Sequence, residues 1–361
     1  MKTILVALEY PPIVGGVENY YKNLSLNWPE EFIVIDNSEF KLLNPKKLFF
    51  KWSKAIKTII SAIKSSQADW LIVGEILPIG TAALIASYFV NFKLAIFLHG
   101  KDFSLATRSN WKKIITKKIL TKANLILCAN SYTAKLVGEF LGSNNKIQIV
   151  NPGVDSTKPI ARVDLINGLK TNYGLFDKFV FITICRLVER KGVAKVLEVM
   201  PNILQENPNV RYIIVGAGKE EEKLKEIIKD PSLSGKVFLI NNATDEDKWA
   251  WLEIANALVM PTLNLNGDYE GFGIVYLEAN LFGKPVIATD AGGVHDAVVD
   301  NLNGLLIKSN DASALQEAML KLTTDKTLSL KLGEQGRERA IKEFSWQKIT
   351  EKIYTLLKNN N

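Results

Sequence analysis

The sequence is poor in the residues that build disulfide frameworks and metal sites. Its 361 residues include only two cysteines and two histidines. Cys128 and Cys185 lie far apart in separate apolar runs, which excludes a disulfide-stapled fold and a paired zinc-ligand motif. With His99 and His295 as the only histidines, a zinc site would have to be built almost entirely from carboxylates. The sequence therefore predicts no metal site and a reducing, cytosolic setting.

Long uninterrupted apolar runs are also missing. The run after Lys2 is soon interrupted by Glu9 and is too short for a signal peptide. The most apolar region, residues 71–98, contains charged and turn-forming residues such as Glu75 and Pro78. We interpret it as a strand, a buried helix and a second strand, and not as a membrane span.

Positive charge is unevenly distributed along the chain. The net charge is +7, with about +8 in residues 1–155 and −1 in the remainder. This asymmetry predicts that the N-terminal half meets an anionic partner.

Short β-branched runs alternate with longer helical patterns, which indicates an α/β fold with parallel sheets covered on both faces. The predicted strands are residues 4–8, 32–35, 70–73, 94–98, 125–127 and 147–150, followed by 179–185, 210–215, 237–239, 257–260, 285–288 and 304–307. A turn-rich break near residues 151–158 separates the two series. Ligands of open α/β sheets bind at the carboxyl ends of the strands, so we expect the site in a cleft between two such domains.

Several loops at predicted strand ends carry the residues of a phosphate site. Gly15-Gly16 precedes a helix, and a helix N-terminus suits an anion, although a simple tight turn explains the pair equally well. Arg186 and Lys191 follow a strand and are positioned to converge on a diphosphate, the alternative being a solvated basic loop. The Gly216-Ala217-Gly218 loop half-matches a dinucleotide fingerprint, but Glu221 stands at the third glycine position. We therefore reject a nicotinamide or flavin site.

The stretch EGFGIVYLE places a glutamate at each end, Glu270 and Glu278. Considered alone, it predicts a glycine turn, a buried apolar run and two solvated acids. Read with the other loops, it resembles the retaining family 4 glycosyltransferases, which have the GT-B fold of two Rossmann-like domains. The matching motifs are the two glutamates, Gly283-Lys284-Pro285-Val286, Gly292-Gly293, Asn303-Gly304, Arg186 with Lys191-Gly192, Gly15-Gly16, His99-Gly100 and Asn151-Pro152-Gly153-Val154-Asp155.

The resemblance implies three segments. Residues 1–155 form an acceptor-side domain, residues 156–340 bind the nucleotide sugar, and residues 341–361 form a helix that crosses back to the first domain. The implied activity is retaining transfer of a hexose from a UDP- or GDP-linked donor, without a metal or other cofactor.

Site residues follow from the same resemblance. Glu270 would lie beside the transferred sugar, Glu278 would bind the ribose, and Arg186 and Lys191 would neutralise the leaving diphosphate. His99 would lie near the donor sugar and the attacking hydroxyl, the alternative being a satisfied strand-end histidine. The full set comprises catalytic His99, Glu270, Arg186 and Lys191, and donor-binding Gly15, Gly16, Arg186, Lys191, Gly271, Phe272, Gly273, Ile274 and Glu278. Retention by a same-face mechanism is favoured over a covalent intermediate, because Glu270 resembles a ligand of hydroxyls.

Two basic segments, residues 44–66 and 111–122, combine lysines with aromatic residues. Basic amphipathic helices suit an anionic membrane surface, although packing against the sheet with solvated lysines also explains the pattern. The lysines expected to meet lipid are Lys47, Lys51, Lys54, Lys112, Lys113 and Lys117. We therefore predict a cytoplasmic enzyme, peripheral on the inner face of the plasma membrane, that acts in cell-envelope glycan synthesis on a lipid-linked or polysaccharide acceptor.

The chain departs from the family pattern at three places. His295-Asp296 follow the glycine turn, the loop of residues 262–269 is long, and residues 240–242 lack a glycine where the nucleobase usually lies. Competing functions are a nucleotide-sugar epimerase of the same architecture, a phosphorylase, and a non-catalytic protein that binds a nucleotide or another anionic ligand. A phosphorylase is usually much longer, and no nucleic-acid-binding signature appears.

Overall fold

Each half of the chain folds around a parallel sheet of six strands in the computed structural model. The structure describes residues 1–11, 15–44, 51–265 and 268–360. The chain divides into two units: an N-terminal unit of Met1–Gly153 with Trp346–Asn361, and a C-terminal unit of Val154–Ser345. The expected segment boundaries, after residues 155 and 340, lie close to these divisions.

The N-terminal sheet has the order β2-β1-β3-β4-β5-β6. Its strands are β1 (Thr3–Val6), β2 (Phe32–Ile35), β3 (Trp70–Val73), β4 (Lys93–Leu98), β5 (Leu125–Cys128) and β6 (Ile147–Ile149). All four residues of β1, β3 and β5 are buried. Continuous burial explains why these strands read as apolar runs and not as alternating patterns.

Helices cover this sheet and bury one stripe each. They are α1 (Gly16–Leu26), α2 (Ser53–Ser66), α3 (Ile79–Ala86), α4 (Lys101–Ala106), α5 (Asn110–Lys122) and α6 (Ser131–Leu141). In α2 the buried residues are Ala55, Ile59 and Ile63, four residues apart on one face. Residues 71–98 form β3, α3 and β4, as predicted.

The C-terminal sheet has the order β12-β11-β10-β7-β8-β9. Its strands are β7 (Phe179–Ile184), β8 (Val210–Val215), β9 (Val237–Ile240), β10 (Ala257–Met260), β11 (Val286–Thr289) and β12 (Gly304–Ile307). Its helices are α7 (Val163–Asn172), α8 (Val193–Glu206), α9 (Glu221–Ile228), α10 (Asp245–Ile254), α11 (Ile274–Leu281), α12 (Val294–Ala297), α13 (Ala312–Thr324) and α14 (Lys326–Phe344). The predicted α/β class and the two parallel sheets are confirmed.

The last helix, α15 (Trp346–Asn359), belongs to the N-terminal unit. Trp346 is buried, and its ring meets that of Tyr20 edge-on with centroids 5.2 Å apart. Further along, the Tyr354 hydroxyl donates to the Glu30 carboxylate. The expected segment of residues 341–361 begins too early, because residues 341–344 still belong to α14 of the C-terminal unit.

Both cysteines lie at the carboxyl ends of strands. Cys128 ends β5 and Cys185 follows β7. Burial raises the pKa of the Cys128 thiol well above its ordinary value and that of Cys185 to about 12. Separately, none of the described helices is both long enough and apolar enough to cross a bilayer.

Each sheet has one point where the chain reverses its direction of winding. The connection after β1 leads to β2 on one side, whereas the connection after β3 leads to β4 on the other. In the C-terminal sheet the same reversal separates β7 from β10. Loops that diverge from adjacent strand ends leave a crevice, which is the usual ligand site of open α/β sheets.

Candidate active site

A buried carboxylate and two cations occupy the switch point of the C-terminal sheet. Lys191 ends a short 3-10 turn, Glu189–Lys191, after β7, and Glu270 lies in the loop after β10. Lys191 and Glu270 are each only 9% exposed. Glu270 Oε2 lies 2.5 Å from Lys191 Nζ and 2.6 Å from Arg190 Nη1. We call Arg190, Lys191 and Glu270 the switch-point cluster.

The cations keep the buried Glu270 carboxylate ionised. Burial disfavours the charged form, but the attraction of Lys191 and Arg190, with their hydrogen bonds, holds the pKa of Glu270 below its ordinary value. Arg190 reaches further and places its Nε 3.2 Å from Asp268 Oδ1. The cluster therefore presents a fixed negative charge with more than one positive partner.

Backbone contacts between loops fix the position of this cluster. Gly192 has φ 70°, and a Cβ there would lie 1.9 Å from the Pro261 carbonyl oxygen. The Gly292-Gly293 turn supports Glu270 from the other side, since the Gly293 amide donates to the Glu270 carbonyl at 3.0 Å. Gly292 has φ 62°, and its Cβ would lie 2.4 Å from that same oxygen. Glycine is required at both turns because no side chain fits.

The second glutamate of the motif has a different partner. Helix α11 begins after Gly273, which has φ 78°, and carries Glu278 in its second turn. Glu278 Oε1 lies 3.0 Å from Lys248 Nζ on α10, and Lys248 Nζ lies 3.8 Å from the Trp249 ring centroid. Ahead of the helix, Phe272 is buried, whereas Gly271 and Ile274 are partly exposed. The two glutamates thus belong to two separate ion pairs.

The downstream motif residues anchor the far end of α11. Asn280 and Asn303 are fully buried and exchange an amide hydrogen bond of 2.6 Å. Asn280 also donates to the Lys284 carbonyl, and Asn303 donates to the Ala297 carbonyl. These residues hold the helix that carries Glu278 and have no exposed polar surface of their own.

The expected diphosphate cations differ in their surroundings. Arg186 is exposed after β7, whereas Lys191 is buried against Glu270. The Gly216-Ala217-Gly218 loop packs against the backbone beside Arg186: a Cβ on Gly218 would lie 2.3 Å from the Leu187 carbonyl oxygen. Backbone packing therefore accounts for Gly218 without a dinucleotide.

In the N-terminal unit, Gly15 and Gly16 stand exposed at the start of α1. Glu18, in the first turn, is 7% exposed, and its carboxylate lies against Gly15, where a Cβ would come within 2.3 Å. This helix N-terminus therefore already faces a carboxylate. Residues 12–14 of the same loop lie outside the described residues.

Three titratable groups occupy the switch point of the N-terminal sheet. Glu75 accepts hydrogen bonds from the Leu8 and Glu9 amides at 2.9 and 3.1 Å, and burial raises its pKa to about 8. Asp102 accepts from the His99 and Gly100 amides, and burial raises its pKa to about 6. Burial lowers the pKa of His99 to about 3. All three line a cavity of about 530 Å³.

Helices α2 and α5 lie in the two basic segments, and they expose different surfaces. In α5, Trp111 and Ile114 are 60% and 59% exposed, beside exposed Lys113 and Lys117. Lys112 is partly buried, with Nζ 5.8 Å from the Trp111 ring centroid.

Helix α2 instead turns its apolar face to the core. Ile56 packs against the N-terminal core, while Lys51 and Lys54 are exposed. Packing against the sheet therefore accounts for the apolar face of α2, whereas the exposed lysines remain accessible to a partner. Lys47 and Leu48 lie outside the described residues, as do residues 266 and 267 of the long loop after β10.

Sequence reasoning missed four residues that the structure places at these sites. Arg190 adjoins Lys191, which carries the family motif, and Lys248 lies on a different helix from its partner Glu278. Glu75 and Tyr21, which contacts His99, had no distinguishing sequence pattern. Within the described residues, no cluster of three or more His, Cys, Asp or Glu side chains is placed to hold a metal ion.

Residues 171–339, which contain the switch-point cluster and both glutamates, match the family model described as Glycosyl transferases group 1. The matched segment lies within the C-terminal unit. The chain is a glycosyltransferase, as the sequence predicted, and its two sheets have the GT-B architecture.

Similar proteins include two named mannosyltransferases, one of them matched along nearly the whole chain. A GDP-mannose-dependent monoacylated alpha-(1-6)-phosphatidylinositol monomannoside mannosyltransferase of Corynebacterium glutamicum is 26% identical, over 99% of this chain and 98% of that protein. A GDP-mannose-dependent alpha-(1-6)-phosphatidylinositol monomannoside mannosyltransferase of Mycolicibacterium smegmatis is 28% identical over 67% of this chain and 64% of its own length. Among solved structures, Anabaena Alr3699/HepE in complex with UDP superposes with a TM-score of 0.82, at 18% identity, over 99% of this chain and 100% of that one.

Proposed function

We propose that this glycosyltransferase is a retaining, metal-independent enzyme of family 4 that moves a hexose from a UDP- or GDP-linked donor to a lipid-linked or polysaccharide acceptor. The observation that carries the proposal is the switch-point cluster: an ionised carboxylate held by two cations where an open α/β sheet binds its ligand. Simple core packing does not require a buried charge, whose desolvation is costly.

The leaving diphosphate would be stabilised by cations of this chain. Cleavage of the anomeric bond develops negative charge on the departing phosphate, and preorganised positive groups lower that barrier. We propose that Arg186 and Lys191 are the cations that neutralise the diphosphate. Lys191 would share its charge between the phosphate and Glu270, while Arg190, 2.6 Å from Glu270, continues to neutralise the carboxylate.

The remaining roles are proposals on the same ground. Glu270 would accept hydrogen bonds from hydroxyls of the transferred sugar, and Glu278 from the ribose, since an ionised carboxylate only accepts. Lys248 would keep Glu278 ionised. The turn of Gly271, Phe272, Gly273 and Ile274 would bring its backbone against the donor, and Gly15 and Gly16 would offer amides from the N-terminal unit.

A same-face mechanism fits Glu270 better than a covalent intermediate. Its Oε2 already receives Lys191 and Arg190, and a carboxylate stabilised in this way is a weakened nucleophile. We propose that the departing phosphate accepts the proton of the attacking hydroxyl, so that the new bond forms on the face that the phosphate leaves.

The donor is best tested with GDP-mannose first, because two relatives are named as GDP-mannose-dependent, and with UDP-glucose second. Thermal unfolding should be followed with each nucleotide sugar, in magnesium and in EDTA. A ligand at a hundred times its dissociation constant adds about 2.7 kcal/mol of stability. We expect a shift with one nucleotide, equal in both buffers. A shift only in magnesium would contradict metal independence.

Retention is tested separately, by NMR of the product. An α-linked donor should give an α-linked product, and a β-linked product would rule out the retaining mechanism. Lys191→Ala is the matched negative control for both experiments, and Lys195→Ala, a partly exposed lysine one turn further on that pairs with Glu198, is the positive one.

We also propose that α5 brings the enzyme to an anionic membrane surface through Trp111, Ile114, Lys113 and Lys117. Exposed aromatic and aliphatic side chains beside lysines suit the headgroup region. Sedimentation with vesicles containing phosphatidylglycerol should retain the protein at low salt and release it at high salt. Protein that stays in the supernatant at low salt would contradict membrane binding and leave the transferase assignment standing.

A further inference from the structure

The hydrogen bonds around Tyr21 determine which nitrogen of His99 carries its proton. Tyr21, on α1, is fully buried, and its hydroxyl oxygen lies 2.7 Å from the Gly74 carbonyl oxygen and 2.8 Å from His99 Nε2. A carbonyl oxygen only accepts hydrogen bonds, and a phenol has one proton to give. The Tyr21 proton must therefore point to Gly74.

With its proton used, the Tyr21 oxygen can only accept from His99. Nε2 must then be the protonated nitrogen, which leaves Nδ1 of a neutral ring with a lone pair. The Tyr21 pKa is raised well above its ordinary value by burial, so the phenol keeps its proton, and the low pKa of His99 keeps the ring neutral. Within the described part of the chain, the bond to Tyr21 is the one side-chain hydrogen bond of the His99 ring.

The packing around this pair leaves it little freedom. Phe97 stacks on the imidazole with centroids 4.7 Å apart and planes at 22°. A Cβ on Gly74 would lie 2.9 Å from the Tyr21 ring, so the glycine provides the space that the tyrosine fills. His99 at the same time lines the cavity of about 530 Å³ in this unit.

We propose that Tyr21 is a positioning residue that locks His99 in the Nε2–H tautomer, so that the ring offers Nδ1 as a hydrogen-bond acceptor to a sugar hydroxyl in this cavity. The identity of the hydroxyl, on the donor hexose or on the acceptor, rests on the proposed function. The locked tautomer does not, because it follows from the contacts of Tyr21 alone.

The tautomer is read directly by long-range proton–nitrogen NMR of the nitrogen-15-labelled full-length enzyme, without any ligand. The chain has only two histidines, so His295→Gln assigns both rings. We expect wild-type His99 to show a protonated Nε2 and an unprotonated Nδ1. Tyr21→Phe should shift the ring toward a mixture of tautomers, because it removes the acceptor for Nε2–H.

Tyr20→Phe is the matched control. Tyr20 is the neighbouring residue, is equally buried, and meets the His99 ring edge-on at 5.5 Å. Its hydroxyl, however, donates to the Val150 carbonyl at 3.3 Å and not to His99. Its loss should leave the His99 tautomer unchanged.

Turnover of GDP-mannose or UDP-glucose gives the functional readout. Tyr21→Phe should reduce kcat by about tenfold or more, as expected when a histidine is released into the wrong tautomer. In a His99→Ala background the same change should have little further effect. A wild-type ring with protonated Nδ1, a Tyr21→Phe spectrum identical to wild type, or unchanged turnover in Tyr21→Phe would each overturn the proposal.

The wild-type spectrum decides the tautomer even where Tyr21→Phe fails to fold. Failure of the proposed function has a different signature, since the wild-type enzyme itself would then turn over neither donor. In that case the spectra of wild type, Tyr21→Phe and Tyr20→Phe still support or overturn the positioning role.

Discussion

The two units place buried acids at the same topological position and treat their charge in opposite ways. At the N-terminal switch point, the hydrogen-bond partners of Glu75 within the described residues are backbone amides, and burial raises its pKa to about 8. At the C-terminal switch point, Lys191 and Arg190 outweigh the burial of Glu270 and hold its pKa down. Burial alone neutralises a carboxyl group, whereas burial with cations preserves its charge. The surroundings of Glu75 are therefore suited to neutral hydroxyl groups, and the switch-point cluster is suited to an ionic ligand.

Removal of Lys191 should give the largest effect. In Lys191→Ala the diphosphate loses a preorganised cation, and we expect kcat to fall by about 10²–10³. The measurement is steady-state turnover with the donor that stabilises the wild-type protein. Lys195→Ala should stay within about twofold of wild type. If Lys191→Ala turned over as fast as Lys195→Ala, the proposed role of the C-terminal switch point in binding the diphosphate would be contradicted.

Substitution of Arg190 and of Arg186 distinguishes a contribution to stability from a contribution to donor binding. Arg190→Ala removes one of the two partners of a buried carboxylate, and we expect the free energy of unfolding to fall by about 3 kcal/mol. Arg186→Ala, at an exposed position, should change it by less than about 0.5 kcal/mol but weaken donor binding. Urea unfolding and donor titration of both variants check this. Equal stability of the two variants would mean that Lys191 alone suffices to hold Glu270.

The pH dependence of stability should have opposite signs in the two units. Because the folded pKa of Glu75 is raised, its contribution is full below its ordinary value of 4.5 and is lost as the pH rises through about 8. Glu75→Gln keeps an oxygen for the Leu8 and Glu9 amides and removes the titration. Over this window the variant should gain on wild type by up to about 1.4 kcal/mol per pH unit.

Glu270→Gln provides the contrast, by urea unfolding from pH 7 down to well below the ordinary glutamate pKa of 4.5. The folded pKa of Glu270 is lowered, so its contribution is present above the ordinary glutamate value and is lost as the pH falls through the folded one. The difference between this variant and wild type should therefore shrink at low pH. Parallel pH profiles for Glu75→Gln and Glu270→Gln would contradict the proposed difference between the units.

The smallest expected effect concerns the surfaces. Lys113→Ala and Lys117→Ala should each weaken binding to anionic vesicles by about 1 kcal/mol. Trp111→Ala should weaken it further, whereas Leu330→Ala should not. Leu330 is 58% exposed beside exposed lysines in the C-terminal unit, so it matches the chemistry of the α5 surface at another place. Equal losses at both places would indicate nonspecific adsorption.

The local hydrophobic patterns predicted the strands and the α/β fold. The order of the motifs predicted most of the loops that follow the strands. The β-branched runs located the strands because parallel strands are buried on both faces and need apolar residues throughout. Glu270, Lys191 and Arg186 could be found because their spacing resembles a family. Arg190, Lys248 and Tyr21 could not, since each acquires its significance from a partner that is distant in sequence. Arg190 and Glu270 are 80 residues apart, with strands β8 to β10 between them, and no short-range sequence pattern pairs them.

The sequence also does not determine the charge states of the buried glutamates. A sequence shows that Glu75 and Glu270 are glutamates, but the balance between desolvation and attraction depends on what surrounds them. The Gly292-Gly293 turn is a similar case. The sequence placed it among the motifs of the family resemblance, and the structure adds that the Gly293 amide donates to the Glu270 carbonyl.

The two thiols have a practical consequence. Cys128 is buried and Cys185 is partly buried, and burial raises the pKa of both thiols, whereas maleimides and similar reagents react with the thiolate. The native chain should therefore resist modification under conditions where a newly introduced surface cysteine is labelled completely. Fluorophores or spin labels can be attached at chosen sites on either unit without first replacing a native residue, and motion during turnover can be followed in an otherwise unaltered enzyme.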